Sequence, residues 1–110
     1  MKHFTTKRAT IERQYQKVKA EIMQERQPCC AGCGTWQGSI TFSHRIPRSR
    51  RVDLIAEKQN IDLMCPACHD KVETGRYDEL QNGDEIICYI AENEPELLEL
   101  KKIKQDLRVK

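Results

Sequence analysis

Cys30-Ala31-Gly32-Cys33 and Cys65-Pro66-Ala67-Cys68-His69 are two short cysteine knuckles separated by 31 residues, and between them lies Ser43-His44-Arg45-Ile46-Pro47-Arg48. Four thiolates in paired x₂ spacing can supply one tetrahedral zinc, for which Zn–S distances near 2.3 Å favour two tight turns. Glycine beside the first pair permits such a turn, which a reading of these cysteines as buried small hydrophobes leaves unexplained. Cys29 could in principle replace Cys30 in pairing with Cys33, but the x₂ spacing favours Cys30. Cys29 and Cys88 are then spectators. A zinc at this place would pin both ends of the intervening sequence.

Around that centre the chain is short and thinly apolar. It has 110 residues, 38% hydrophobic and only 5% aromatic, so a single domain with a small core is expected, with metal supplementing its stability. No stretch approaches the roughly 20 apolar residues that cross a bilayer, and the N-terminus has no hydrophobic run. A cytoplasmic location with reduced cysteines is therefore expected, and with it metal ligation rather than disulfides. Net charge is +2, but its distribution is uneven. Residues 1–52 hold 11 Lys/Arg against 3 Asp/Glu (+8), and residues 53–110 hold 8 against 14 (−6). Such an asymmetry predicts one phosphate-facing side. Arg45, Arg48, Arg50 and Arg51, four guanidiniums in seven residues, are its candidate phosphate contacts.

Periodicity places the elements. Ile11, Tyr15, Val18 and Ile22 recur at helical spacing and predict an amphipathic helix over 7–27, closed by Pro28. Ser39-Ile40-Thr41-Phe42 alternates and is β-branched, which predicts a strand with Ser43 and His44 at its end. Residues 45–59 read as a polar loop with some helical character at 54–58, and Asn60–Met64 as a second strand. Pro66 suits a helix start and Gly75 a left-handed exit, so a helix over 66–74 carries Cys68, His69 and Glu73. Asp84 is placed to cap a helix through Ile90, and a last helix follows from Asn93, with Leu97, Leu100, Ile103 and Leu107 as a core-forming or dimerising stripe.

His44, Asn60 and the knuckle-fused His69 resemble the motif of the HNH endonuclease family in its zinc-stapled form, over Cys30 to about Glu73. The resemblance implies an α+β fold: a ββα-metal (His-Me finger) core over 28–75 stapled by a Cys₄ zinc, flanked by the N-terminal helix and by C-terminal helices over 84–108. It implies hydrolysis of DNA phosphodiester bonds, in which His44 is the general base, His69 binds the catalytic cation, and Asn60 organises the loop that orients the base. A neutral imidazole suits the first role, since its proton affinity lies near physiological pH. Mg²⁺ or another divalent cation would be needed besides the structural zinc.

One departure stands out. Many family members carry Asp, Glu or His immediately before the base, as a ligand of the catalytic cation; here that residue is Ser43. A neutral hydroxyl is a weak Mg²⁺ ligand, so either Ser43 serves with waters or another acid contributes. Glu73, four residues after His69 on the same helix face, is the candidate. Asp62 and Asp70 are less favoured. The expected role is a small nuclease of phage or mobile-element type acting on nucleic acid. The alternative is a zinc-stapled nucleic-acid-binding or assembly module without catalysis. A CxxC redox protein fits poorly, because it needs one exposed pair rather than two bridged by this insert.

Overall fold

The computed structural model describes residues 2–101, with side chains from Lys7 onward. Five elements frame it: helix α1 (Lys2–Glu25), strands β1 (Thr41–His44) and β2 (Ile61–Met64), and helices α2 (Pro66–Glu73) and α3 (Gly83–Asn93). Single 3₁₀ turns at Val52–Leu54, Lys58–Asn60 and Tyr77–Glu79 connect them, and a further helical stretch, α4, runs over residues 95–101. The fold is α+β. Its centre is an antiparallel hairpin, Thr41 opposite Met64 and His44 opposite Ile61, followed directly by α2.

The two faces of that hairpin are covered by different helices. On one, the stripe of α1 buries Tyr15 and Ile22 against Ile55, Ile61 and Leu63, with Ile11, Val18 and Phe42 at the margin. Each such side chain taken out of water contributes about 1.5–3 kcal/mol. Arg26 fixes the end of α1 by donating to the carbonyls of Ile61 (2.6 Å) and Lys58 (3.0 Å). On the other face Met64 joins Cys68 and Val72 of α2 with Ile86, Tyr89 and Ile90 of α3. Leu97 of α4 is also buried there, whereas Leu100 is exposed and Ile103 and Leu107 lie outside the described residues. The stripe expected along the last helix is therefore not one packed face as far as Leu100.

Several boundaries differ from expectation for local reasons. The first strand begins at Thr41, not Ser39, because β2 offers only four residues before Cys65 turns into α2. Thr41 meets the last of them, and Ser39 and Ile40 have no partner. Asn60 does not open β2 but closes a 3₁₀ turn before it. The residue before α3 is Asn82, not Asp84, and its side chain makes no capping bond. Gly75 leaves α2 at φ +78°, and a Cβ there would also stand 2.8 Å from that of Lys101.

Asn60 is fully buried and holds the segment between the strands together. Its Oδ1 accepts from the Ile46 amide (2.7 Å), and its Nδ2 donates to the carbonyls of Ile46 and Leu54 (3.1 Å each). Removing the carboxamide strands two buried backbone groups and a partly buried third. Asn60→Ala should lower unfolding free energy by about 2–4 kcal/mol, while Gln59→Ala, at an exposed neighbour, should change it by under about 0.5 kcal/mol. Urea titrations of the two variants check this, and equal midpoints would refute it.

Candidate metal centre and cleft

The two knuckles meet. Sγ atoms of Cys30, Cys33, Cys65 and Cys68 all lie within 4.8 Å of one another, with Cys33 and Cys65 at 3.8 Å. A regular tetrahedron of sulfurs about 2.3 Å from zinc has edges of about 3.8 Å, so the four thiols fit that ion. Cys30 is poised for it: burial works against ionisation, but amides of Cys65, Cys33 and Gly32 aimed at its sulfur outweigh this and bring the thiol down to about 6. The Gly32 and Cys33 amides reach that sulfur at 3.3 and 3.4 Å. Gly32 is required by space, since a Cβ there would stand 2.9 Å from Cys68 Sγ and 2.8 Å from Leu80 Cδ2. Cys29 and Cys88 lie outside the cluster.

A cleft of about 400 Å³ opens beside the hairpin, with His44, Arg48, His69 and Glu73 on its walls and Tyr15 of α1 across from them. His44 points to the α1 side of the sheet, its ring 5.2 Å from that of Tyr15. Nε2 of His44 is 2.9 Å from the Ile55 carbonyl oxygen. A carbonyl only accepts, so Nε2 carries the hydrogen and Nδ1 is the basic nitrogen. Asn60 grips Leu54, the residue before that carbonyl, and so steadies the group that orients His44. Burial holds His44 below the ordinary histidine value of 6.5. The Ile55 carbonyl opposes the shift, and the charges of Arg48 and His69 reinforce it.

His69 and Glu73 come together as the helical spacing predicts, Nε2 to Oε1 3.4 Å, with the Glu73 carboxylate exposed. On its other side, Nδ1 of His69 lies 3.1 Å from the Thr41 hydroxyl. Ser43 behaves differently. It is 1% exposed, sits opposite Asp62 on the β-sheet, and is absent from the walls of the cleft. The expectation that Ser43 lends an oxygen to a cation beside His44 is revised: strand alternation turns the two neighbours to opposite faces. An acid at 43 would face Asp62 directly, a destabilising cross-strand pair.

The four arginines do not form one free basic strip. Arg45 is locked two-pronged onto Asp62 (2.9 and 3.1 Å), its side chain 14% exposed. Arg50 pairs with Glu94 at 2.9 Å, and Arg51 with Asp53 and with the Asn93 carbonyl (2.5 Å). Those two tie the loop to the end of α3. Arg48 alone has its guanidinium at the cleft without a buried acid: it pairs with Glu12 of α1 and lies 5.0 Å over the Tyr15 ring. Glu12, Tyr15 and Thr41 escape sequence reading because each looks like an ordinary helix or strand position.

The metal centre is open to test. One zinc per chain should be found by elemental analysis. Chelation should collapse the circular dichroism spectrum, and Cys29→Ser and Cys88→Ser should retain the metal. A zinc-free protein with an unchanged melt would overturn the assignment.

Among the described residues no helix is long and apolar enough to cross a membrane. Neither the comparison with curated proteins nor that with solved structures found a match. The family model of the HNH endonucleases matches residues 29–75, the span holding both knuckles, the hairpin and α2. From Cys29 to Gly75, then, this chain is similar to the HNH endonuclease family, with a four-cysteine cluster at the base of that span.

Proposed function

We propose that the protein is a metal-dependent HNH-type endonuclease that hydrolyses DNA phosphodiester bonds, with residues 1–110 acting as one unit and Cys30, Cys33, Cys65 and Cys68 holding a structural zinc. The observation that carries this is the shared cleft, whose walls include both His44, with its hydrogen on Nε2, and the His69–Glu73 pair. A base and a cation site side by side are what phosphodiester hydrolysis requires.

In this reading His44 takes the proton of the attacking water at Nδ1, while the Ile55 carbonyl stabilises the imidazolium that forms by accepting from Nε2–H. Asn60 keeps that carbonyl in register and touches no reacting atom. His69 and Glu73 would hold Mg²⁺ or another divalent cation. Two protein ligands suffice for Mg²⁺, which keeps waters and substrate phosphate in its remaining positions. When bound, the cation stabilises charge on the phosphorane and on the departing 3′ oxygen. Arg48 is placed to exchange Glu12 for a phosphate oxygen. Arg45, Arg50 and Arg51 act on the fold rather than on substrate.

Cleavage of supercoiled plasmid with Mg²⁺ or Mn²⁺ tests the proposal. His44→Ala should lower the rate about 100- to 10,000-fold while leaving zinc content unchanged. Glu73→Gln should raise the Mg²⁺ needed for half-maximal rate. A wild-type protein that binds DNA yet never cuts it would instead be the non-catalytic module.

The pH profile has a defined sign. The base form of His44 is the neutral one and its proton affinity is lowered. Cleavage should therefore stay level from pH 8 through about 6.5 and fall only in more acid solution. An apparent pKa above 6.5 for kcat/KM would remove His44 from that role.

A further inference from the structure

Thr41 opens β1 opposite Met64, and its hydroxyl has two polar neighbours. Oγ1 lies 2.9 Å from the Met64 carbonyl oxygen and 3.1 Å from Nδ1 of His69. The hydroxyl has one proton to give, and a carbonyl can only accept. With that proton on the Met64 carbonyl, Oγ1 turns a lone pair toward His69, and Nδ1 must carry the hydrogen. The other tautomer makes Nδ1 an acceptor as well. It would draw the single hydroxyl proton away from Met64, a residue with no exposed surface, and that carbonyl would lose its side-chain donor.

We propose that Thr41 is a positioning residue that sets the tautomer of His69: it accepts Nδ1–H and so keeps the Nε2 lone pair directed at the cleft, beside Glu73. The proposal rests on the reading of His69 and Glu73 as the cation pair. Its physical content is that the chain readies a nitrogen and a carboxylate 3.4 Å apart before any cation arrives. With hydrogen on Nε2 instead, the ring would donate to Glu73, and the two groups would satisfy each other. A divalent cation could then bind Nε2 only after that proton had moved to Nδ1. Thr41 reaches His69 from the strand, not the helix, so the ring is held between two elements. The orientation of a ligating imidazole is commonly set by a partner on its other nitrogen.

The test needs no nuclease activity. Long-range ¹H–¹⁵N correlation of the zinc-loaded protein at neutral pH, with no other divalent cation, reads which nitrogen of His69 is protonated; His69→Gln assigns the signals. Wild type and Thr41→Ser should show Nδ1–H with Nε2 bare, and Thr41→Val should move the population toward Nε2–H. Mn²⁺ titration followed by electron paramagnetic resonance should show about 10-fold weaker binding in Thr41→Val and near wild-type binding in Thr41→Ser. A wild-type His69 that carries hydrogen on Nε2 overturns the proposal, and it does so even if Thr41→Val fails to fold. An unshifted tautomer in a folded Thr41→Val protein overturns it too. A tautomer that shifts while Mn²⁺ affinity stands still overturns the cation reading of His69, and the proposal with it, whereas plasmid cleavage reports separately on the nuclease reading.

Discussion

Everything in this fold depends on two knuckles being in one place. Bringing Cys30 and Cys33 within 4.8 Å of Cys65 and Cys68 closes the segment between them into a loop. That loop must leave one knuckle, form a strand, and return antiparallel to reach the other. The strands are only four residues each, too short to be stable alone, and the closure supplies what their pairing lacks. Gly32 shows how tight the closure is, since the first knuckle lies against Cys68 with no room for a methyl group. Register follows from the same constraint: β2 must end where Cys65 begins, so Thr41 can only meet Met64.

Within the closed loop, Asn60 converts sequence distance into geometry. It binds Ile46 and Leu54 from the middle of the core, and the carbonyl of the next residue, Ile55, receives the hydrogen of His44. A single buried carboxamide thus supports both the path of the loop and the choice of which imidazole nitrogen is basic. Orientation of the His44 ring and stability of the loop share one set of hydrogen bonds and cannot be tuned apart.

The legible part of the sequence was the part governed by short-range spacing. The cysteine pairs, the i,i+4 relation of His69 and Glu73, and the entry and exit of α2 at Pro66 and Gly75 are local rules with few competing solutions. Strand alternation separates the two residues after Phe42. Thr41 and Ser43 share one face and His44 takes the other, so Ser43 is turned away from the cleft that His44 lines. The arginines were misread for a different reason. Counting charges along the chain gave a basic half and an acidic half, but nothing local revealed that Asp62 would clasp Arg45 and that Glu94 would clasp Arg50. The asymmetry in sequence is cancelled across the fold. Asn60, read from the family motif as the residue that organises the loop, is buried and bonded to Ile46 and Leu54 of that segment.

That cancellation has a thermodynamic corollary. An arginine free in solution gathers no counterion of its own, but a polyanion that meets it releases condensed cations, and the release makes association steeply sensitive to ionic strength. If Arg48 meets a phosphate as proposed, the exchange there is of another kind. A phosphate arriving there takes the place of the Glu12 carboxylate, and a negative charge of the protein is set free in the same event. The liberated carboxylate stays beside the bound phosphate and repels it, which offsets part of the attraction. Attraction at long range is correspondingly muted, and recognition at the mouth of the cleft becomes a substitution between two anions, decided by fit and hydrogen-bond geometry more than by field.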